Sequence, residues 1–91
     1  MNYQAVVEKI VPGGRHGPYA VARCDELSNL GPITFSLKPE VWEEKAWPET
    51  GTVIIISNLT KKRAGWRATS ARFFQPADEQ QSKEKEGQSN E

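Results

Sequence analysis

The chain reads as one all-β domain of five short strands followed by a polar tail, and three observations lead there. Its β-branched and apolar residues fall into five short segments separated by Gly, Pro and turn-forming residues. Only one segment, Pro39 to Trp47, carries helix signals. The apolar residues also stop abruptly: of the hydrophobic residues in this 91-residue chain, only Ala77 lies beyond Pro76. A body of that size holds one core and no more.

Asn2 to Val11 is β-rich and ends at Pro12-Gly13-Gly14, so it reads as the first strand. The loop runs on through Arg15-His16-Gly17-Pro18. In Tyr19 to Asp25 the small residues Ala20, Ala22 and Cys24 alternate with Tyr19, Val21 and Arg23, which makes the second strand. A turn is expected at Glu26 to Gly31, around Ser28-Asn29. Ile33 to Leu37 alternates apolar and hydroxyl residues, the period of a half-buried third strand, and places Phe35 inside.

Pro39 stands where a first helical residue would, Glu40 and Glu43 near the positive end of the helix dipole, and Pro48 closes the segment. A helix of about two turns is therefore expected between strands three and four, with Glu43, Glu44 and Lys45 in solvent. Trp42 and Trp47 are expected to plug the barrel bottom. Thr52 to Ser57 is apolar on both faces and gives a central fourth strand. Thr60 to Gly65 reads as a basic loop, and Trp66 to Phe74 as the fifth strand.

The order strand, strand, strand, helix, strand, strand in about 75 residues is that of an OB-fold, a five-stranded Greek-key barrel. An SH3-like barrel is the rival architecture, with its short helical turn placed before the last strand. Residues 1–76 make the domain. Residues 77–91 make an acidic tail of Gln, Ser, Glu and Lys, a composition expected to be disordered. The net charge of zero hides an asymmetry: residues 1–76 carry ten basic and seven acidic side chains, +3, and the tail two and five, −3. The tail is read as inert; a weak screen over the basic loops is the other possibility, one that salt would abolish.

Residues 1–76 also resemble the cold-shock-like branch of OB-fold nucleic-acid-binding domains and, more loosely, S1-type RNA-binding domains. Gly17, Tyr19 and Val21 stand near that family's Gly-aromatic-Gly-aromatic motif, with Pro18 inserted. Phe35 and Leu37 stand at its aromatic-x-His motif, and Gly65-Trp66-Arg67-Ala68 matches its Gly-x-x-Ala step. Val21 replaces an aromatic, Leu37 replaces the histidine, and Val7-Glu8-Lys9 stands where the family has a Lys-Trp pair. The resemblance implies the fold and a nucleic-acid ligand more than a full stacking surface.

Several function classes find no support. One cysteine, Cys24, forms no intramolecular disulfide and reads as a small core residue, and the lone His16 leaves too few soft ligands for zinc. The Gly-rich loop lacks the Gly-Lys-Ser/Thr end of a phosphate-binding loop, and no second group beside His16 suggests catalysis. The longest purely apolar run, Val53 to Ile56, is too short for a membrane span. A non-catalytic, cofactor-free, monomeric cytoplasmic protein is expected.

In an OB-fold the loops joining strands one to two and four to five flank a single binding face. Here those loops hold Arg15, His16, Lys61, Lys62, Arg63 and Arg67, with Tyr19 and Trp66 at their strand entrances. Cations neutralise phosphates and exposed rings stack bases, so these eight residues are the candidate site for single-stranded RNA or DNA, RNA preferred, with weak base preference. Arg23 and Arg72 either extend this basic track or pair with nearby carboxylates. A protein-interaction module, or an accessory domain of a ribonucleoprotein, is the alternative.

Overall fold

Five strands form in the computed structural model, which describes residues 1–15 and 17–78: β1 (Asn2–Val11), β2 (Tyr19–Arg23), β3 (Ile33–Ser36), β4 (Val53–Lys62) and β5 (Gly65–Phe73). They close into a barrel in the order β1-β2-β3-β5-β4, with β1 returning to β4. All neighbours are antiparallel except β3 and β5. His16 and the tail from residue 79 lie outside the described residues.

The alternation in β2 and β3 sorts their side chains as expected. Ala20, Ala22, Cys24, Ile33 and Phe35 are buried, whereas Tyr19, Val21, Thr34 and Ser36 remain partly exposed on the other face. β1 keeps Tyr3, Ala5 and Val7 turned inward, and a bulge between Val7 and Lys9 then shifts the phase so that Ile10 packs on the core. β4 makes an equivalent switch. Ile54 and Ile56 are buried in the core, Asn58 takes a positive φ of 56°, and Leu59 then turns inward. Asparagine tolerates that conformation better than most residues.

This switch corrects the extent of β4. The strand does not end at Ser57 but continues to Lys62, so the expected basic loop at Thr60–Gly65 shrinks to a tight turn at Arg63-Ala64, bounded by the Lys62–Gly65 pair. The expected turn at Glu26–Gly31 is instead a 3₁₀ helical segment, Asp25–Leu30, kinked at Leu27.

The helix expected over Pro39–Trp47 is absent. One helical turn forms, in which the Trp42 N–H donates to the Lys38 carbonyl at 2.8 Å, and the chain then runs beside β5. The Ala71 N–H donates to the Val41 carbonyl and the Glu43 N–H to the Ala71 carbonyl, both at 3.0 Å, so Trp42 and Ala71 form a parallel bridge. Two isolated helical turns are marginal in water, whereas this arrangement satisfies the backbone against an existing strand. The carboxylates follow the backbone rather than a helix dipole. Glu43 accepts from the Ser70 hydroxyl, and Glu44 accepts from the Phe73 N–H at 3.2 Å.

Trp42 fills the barrel as expected, 2 % exposed, stacked on Phe35 at 5.8 Å and edge-on to Phe73 at 5.0 Å. Its indole N–H donates to the Ala46 carbonyl at 2.7 Å, so burial leaves no polar atom unpaired. Trp47 is corrected: it lies just beyond the Ala46 carbonyl that holds the Trp42 indole, outside the barrel interior, and stands 45 % exposed.

Hydrogen bonding to the barrel continues past Pro76. Asp78 lies two residues past the expected end, yet its carboxylate accepts from both terminal nitrogens of Arg72, at 2.8 and 2.9 Å, and from the Gln75 N–H at 2.8 Å. A helical turn starts at Pro76, with the Asp78 N–H donating to the Gln75 carbonyl. The Arg72 hydrogen bonds hold the Asp78 carboxyl below its ordinary value, and Asp78 raises Arg72.

Two expectations follow. Trp42→Ala should lower unfolding free energy by about 3 to 5 kcal/mol in a denaturant titration, the usual loss for a large buried ring. Asp78→Asn should lower it by about 1 kcal/mol at neutral pH. Because the folded-state pKa of Asp78 is depressed, its contribution is complete above the unfolded-state value near about 4 and is lost as pH falls through the folded one. Melting curves of wild type and Asp78→Asn should therefore converge on acidification; a gap that persists at the acid end would remove the ion pair as its cause.

Candidate functional site

Register places the candidate residues on two different lines across the sheet. Lys9, Val21, Thr34, Arg67 and Thr60 are successive cross-strand partners over β1, β2, β3, β5 and β4. None of the five is buried, so this line runs along the outside of the barrel. The adjacent outer line holds Val11, Tyr19 and Ser36, all partly exposed. The next line over, Val7, Ala22, Ile33, Trp66 and Lys61, starts inside: its first three members are buried.

Tyr19 and Arg67 therefore share the outer face, whereas Trp66 belongs to the inner line. Trp66 is partly buried against the core and lines a cleft with Tyr3, Leu27 and Leu59 at the end of the barrel beside the 3₁₀ helix. The two rings expected to stack bases face opposite sides of the sheet. Period-2 alternation is the cause: adjacent residues Trp66 and Arg67 point oppositely, so an inward tryptophan is what frees the arginine outward.

The cationic loops are separated as well. Arg15, exposed, lies in the β1–β2 loop, which adjoins the Ser36 end of β3 through the Leu37 N–H to Pro18 carbonyl bond of 3.0 Å. Lys61, Lys62 and Arg63, all exposed, lie at the Ile33 end, where Trp66 pairs with Ile33 and the hairpin tip extends one rung further. The loops flank the outer face at its two ends rather than converging on one side of it. His16 falls outside the described residues.

Lys38 and Lys9 belong to this surface although the loop-based reading passed over them. The Lys38 side chain crosses Gly17 so closely that a Cβ there would sit 2.7 Å from its Cε, and the Lys38 N–H donates to the Ser36 hydroxyl at 3.1 Å. Gly17, at φ +84°, supplies both the left-handed turn and the space for that lysine. Lys9 owes its outward position to the β1 bulge. A bulge within Val6-Val7-Glu8-Lys9 leaves no mark in composition; only the cross-strand register reveals it.

The ion pairs among the described residues sort the cations. Arg23 pairs with Glu8 at 3.2 Å and Asp25 at 3.3 Å, and Arg72 pairs with Asp78, so neither contributes a free charge. None of those pairs involves Lys9, Arg15, Lys38, Lys61, Lys62, Arg63 or Arg67. The surface is thus a hydroxyl-bearing sheet face with Tyr19 as its aromatic, Lys9 and Arg67 on its outer line, and further cations along its margins. Among the described residues no group of three or more His, Cys, Asp and Glu is placed to hold a metal, and no helix is long and apolar enough to cross a membrane. No family model, curated protein or solved structure matches the chain.

Proposed function

We propose that the barrel is of the OB type and that its outer β2–β3–β5 face binds single-stranded nucleic acid, RNA in preference to DNA, without catalysis. The strand order β1-β2-β3-β5-β4 with a parallel β3–β5 pair supports the OB assignment, and Gly65-Trp66-Arg67-Ala68 keeps the likeness to cold-shock-like domains. The observation that carries the ligand class is the outer line itself. Lys9 and Arg67 stand on it with no carboxylate partner among the described residues, Lys38 and Arg15 lie at one margin, and Lys62 and Arg63 lie at the other.

A strand laid across this face would pass Tyr19 for one stacked base, while the flanking cations neutralise its phosphates. Thr34, Ser36 and Thr60 add hydroxyls suited to a 2′-OH, which both donates and accepts, and this favours RNA. Stacking on Tyr19 tolerates every base, and Arg67 is assigned here to a phosphate, so base preference is weak.

Fluorescence-anisotropy titrations with short oligo-U and oligo-dT across a salt series test the reading. With four to six phosphates neutralised, log affinity should fall against log salt with a slope of about −3 to −4 for single strands. Arg67→Ala and Lys38→Ala should each weaken binding and flatten that slope by about 0.7. Tyr19→Ala should remove about 1 to 3 kcal/mol with the slope unchanged, and Trp66→Phe should have little effect. A slope near zero, or tight binding that survives Arg67→Ala and Lys38→Ala together, would overturn the assignment.

A further inference from the structure

The segment between β3 and β4 carries features that the nucleic-acid face does not use. Trp47 is 45 % exposed and, beside the N-terminal Met1, is the large hydrophobic residue most open to solvent among the described residues. It lines an open cleft with Leu37, Pro39 and the edge of Trp42, and Glu43, Glu44 and Lys45 complete the rim. The cleft is built rather than incidental. The Trp42 indole bond to the Ala46 carbonyl closes the loop that carries Trp47, and the Glu43 and Glu44 carboxylates are held in place by the Ser70 hydroxyl and the Phe73 N–H.

Charge sets this cleft apart from the sheet face. Residues 40–49 hold Glu40, Glu43, Glu44 and Glu49 against Lys45 alone, four of the seven carboxylates in residues 1–76. A phosphate backbone would be repelled there, whereas a guanidinium or ammonium group would be attracted. An exposed indole beside carboxylates suits such a group doubly, since the ring face holds a cation while the carboxylates accept its hydrogen bonds. Aromatic residues are also enriched at protein interfaces and among the residues that dominate their binding energy.

We propose that the Trp47 cleft is a second binding site, independent of the nucleic-acid face, and that its occupant is an extended, arginine-bearing segment of a partner protein. Arginine fits better than lysine because its planar guanidinium stacks on the indole while its fork engages Glu43 or Glu44. Such a segment would place one arginine over Trp47 and its aliphatic stem against Pro39 and Leu37.

The probe is the acetylated and amidated peptide Ala-Arg-Ala-Arg-Ala, titrated into the full chain while amide and indole resonances are followed by nitrogen-15 NMR. Its lysine and glutamate counterparts serve as comparisons. Shifts should centre on the Trp47 indole and residues 43–47, with the lysine peptide several-fold weaker and the glutamate peptide silent. Trp47→Ala should weaken binding at least tenfold. Glu44→Gln, which keeps an acceptor for the Phe73 N–H, should weaken it several-fold. Both variants should retain wild-type affinity for oligo-U, or its absence, so that failure of one site is read separately from failure of the other. Equal binding by Trp47→Ala, shifts confined to other surfaces, or Trp47 shifts that depend on protein concentration without peptide would each overturn the proposal, the last by making a second copy of the chain the occupant.

Discussion

Closure of the barrel depends on the seam between β3 and β5, and that seam depends on Trp42. β3 pairs with β5 over two residues only, Ile33 with Trp66 and Thr34 with Arg67, far fewer than the eight pairs joining β4 to β5. So short a parallel ladder is weak by itself. The Trp42–Ala71 bridge extends it after the turn at Lys38–Val41, and the Trp42 ring bridges Phe35 on β3 to Phe73 on β5 from within. The seam is fastened by side-chain burial where backbone pairing is short, and every line of residues that crosses it depends on that fastening.

The interior shows how narrow such a barrel is. Ala5, Ala20, Ala22, Ala68 and Ala71 are buried beside Trp42, Phe35 and the isoleucines of β3 and β4. Small residues where walls approach and large ones where space remains are what a tapering interior demands. Since the inside is filled, the outer faces and the connections are what the barrel presents to solvent. The β1 bulge and the left-handed Asn58 serve the same curvature, turning long strands from one wall to the next while keeping apolar side chains inward. One consequence is electrostatic: the bulge that returns Ile10 to the core also sets Lys9 on the outer line with Arg67.

The surfaces divide by charge because the elements do. Apart from Lys45, the cations that make no ion pair among the described residues lie on β1, on β5 and at the ends of the outer face, whereas carboxylates concentrate between β3 and β4, where Glu43 and Glu44 are bound to β5. A net charge of zero for the whole chain therefore says little about any one patch of it. Arg23 and Arg72 show the complementary point. As charges in a sequence they add to the basic count, but as residues they are engaged by Glu8, Asp25 and Asp78.

Local pattern determined the parts of this protein that obey a local rule. The alternation in β2 and β3 separated Tyr19 and Val21 from Ala20 and Ala22, placed Phe35 inside, and marked the five strands, because a period of two follows from the pleat alone. The Gly and Pro positions likewise marked the loops. What needed the tertiary structure was whatever depended on a partner distant in sequence. Pro39 to Trp47 carries helix signals, but Ala71 offered its backbone a better set of hydrogen bonds, and Trp47 was left in solvent as a result. Lys61 and Lys62 lie on a strand because β5 pairs with them, and Trp66 faces inward because its neighbour across the seam is Ile33. Lys9 and Lys38 join the candidate site through a bulge and a close crossing over Gly17. Composition and spacing specify which residues alternate; only the closed sheet decides which of them meet, since cross-strand register belongs to a pair of strands and not to either one.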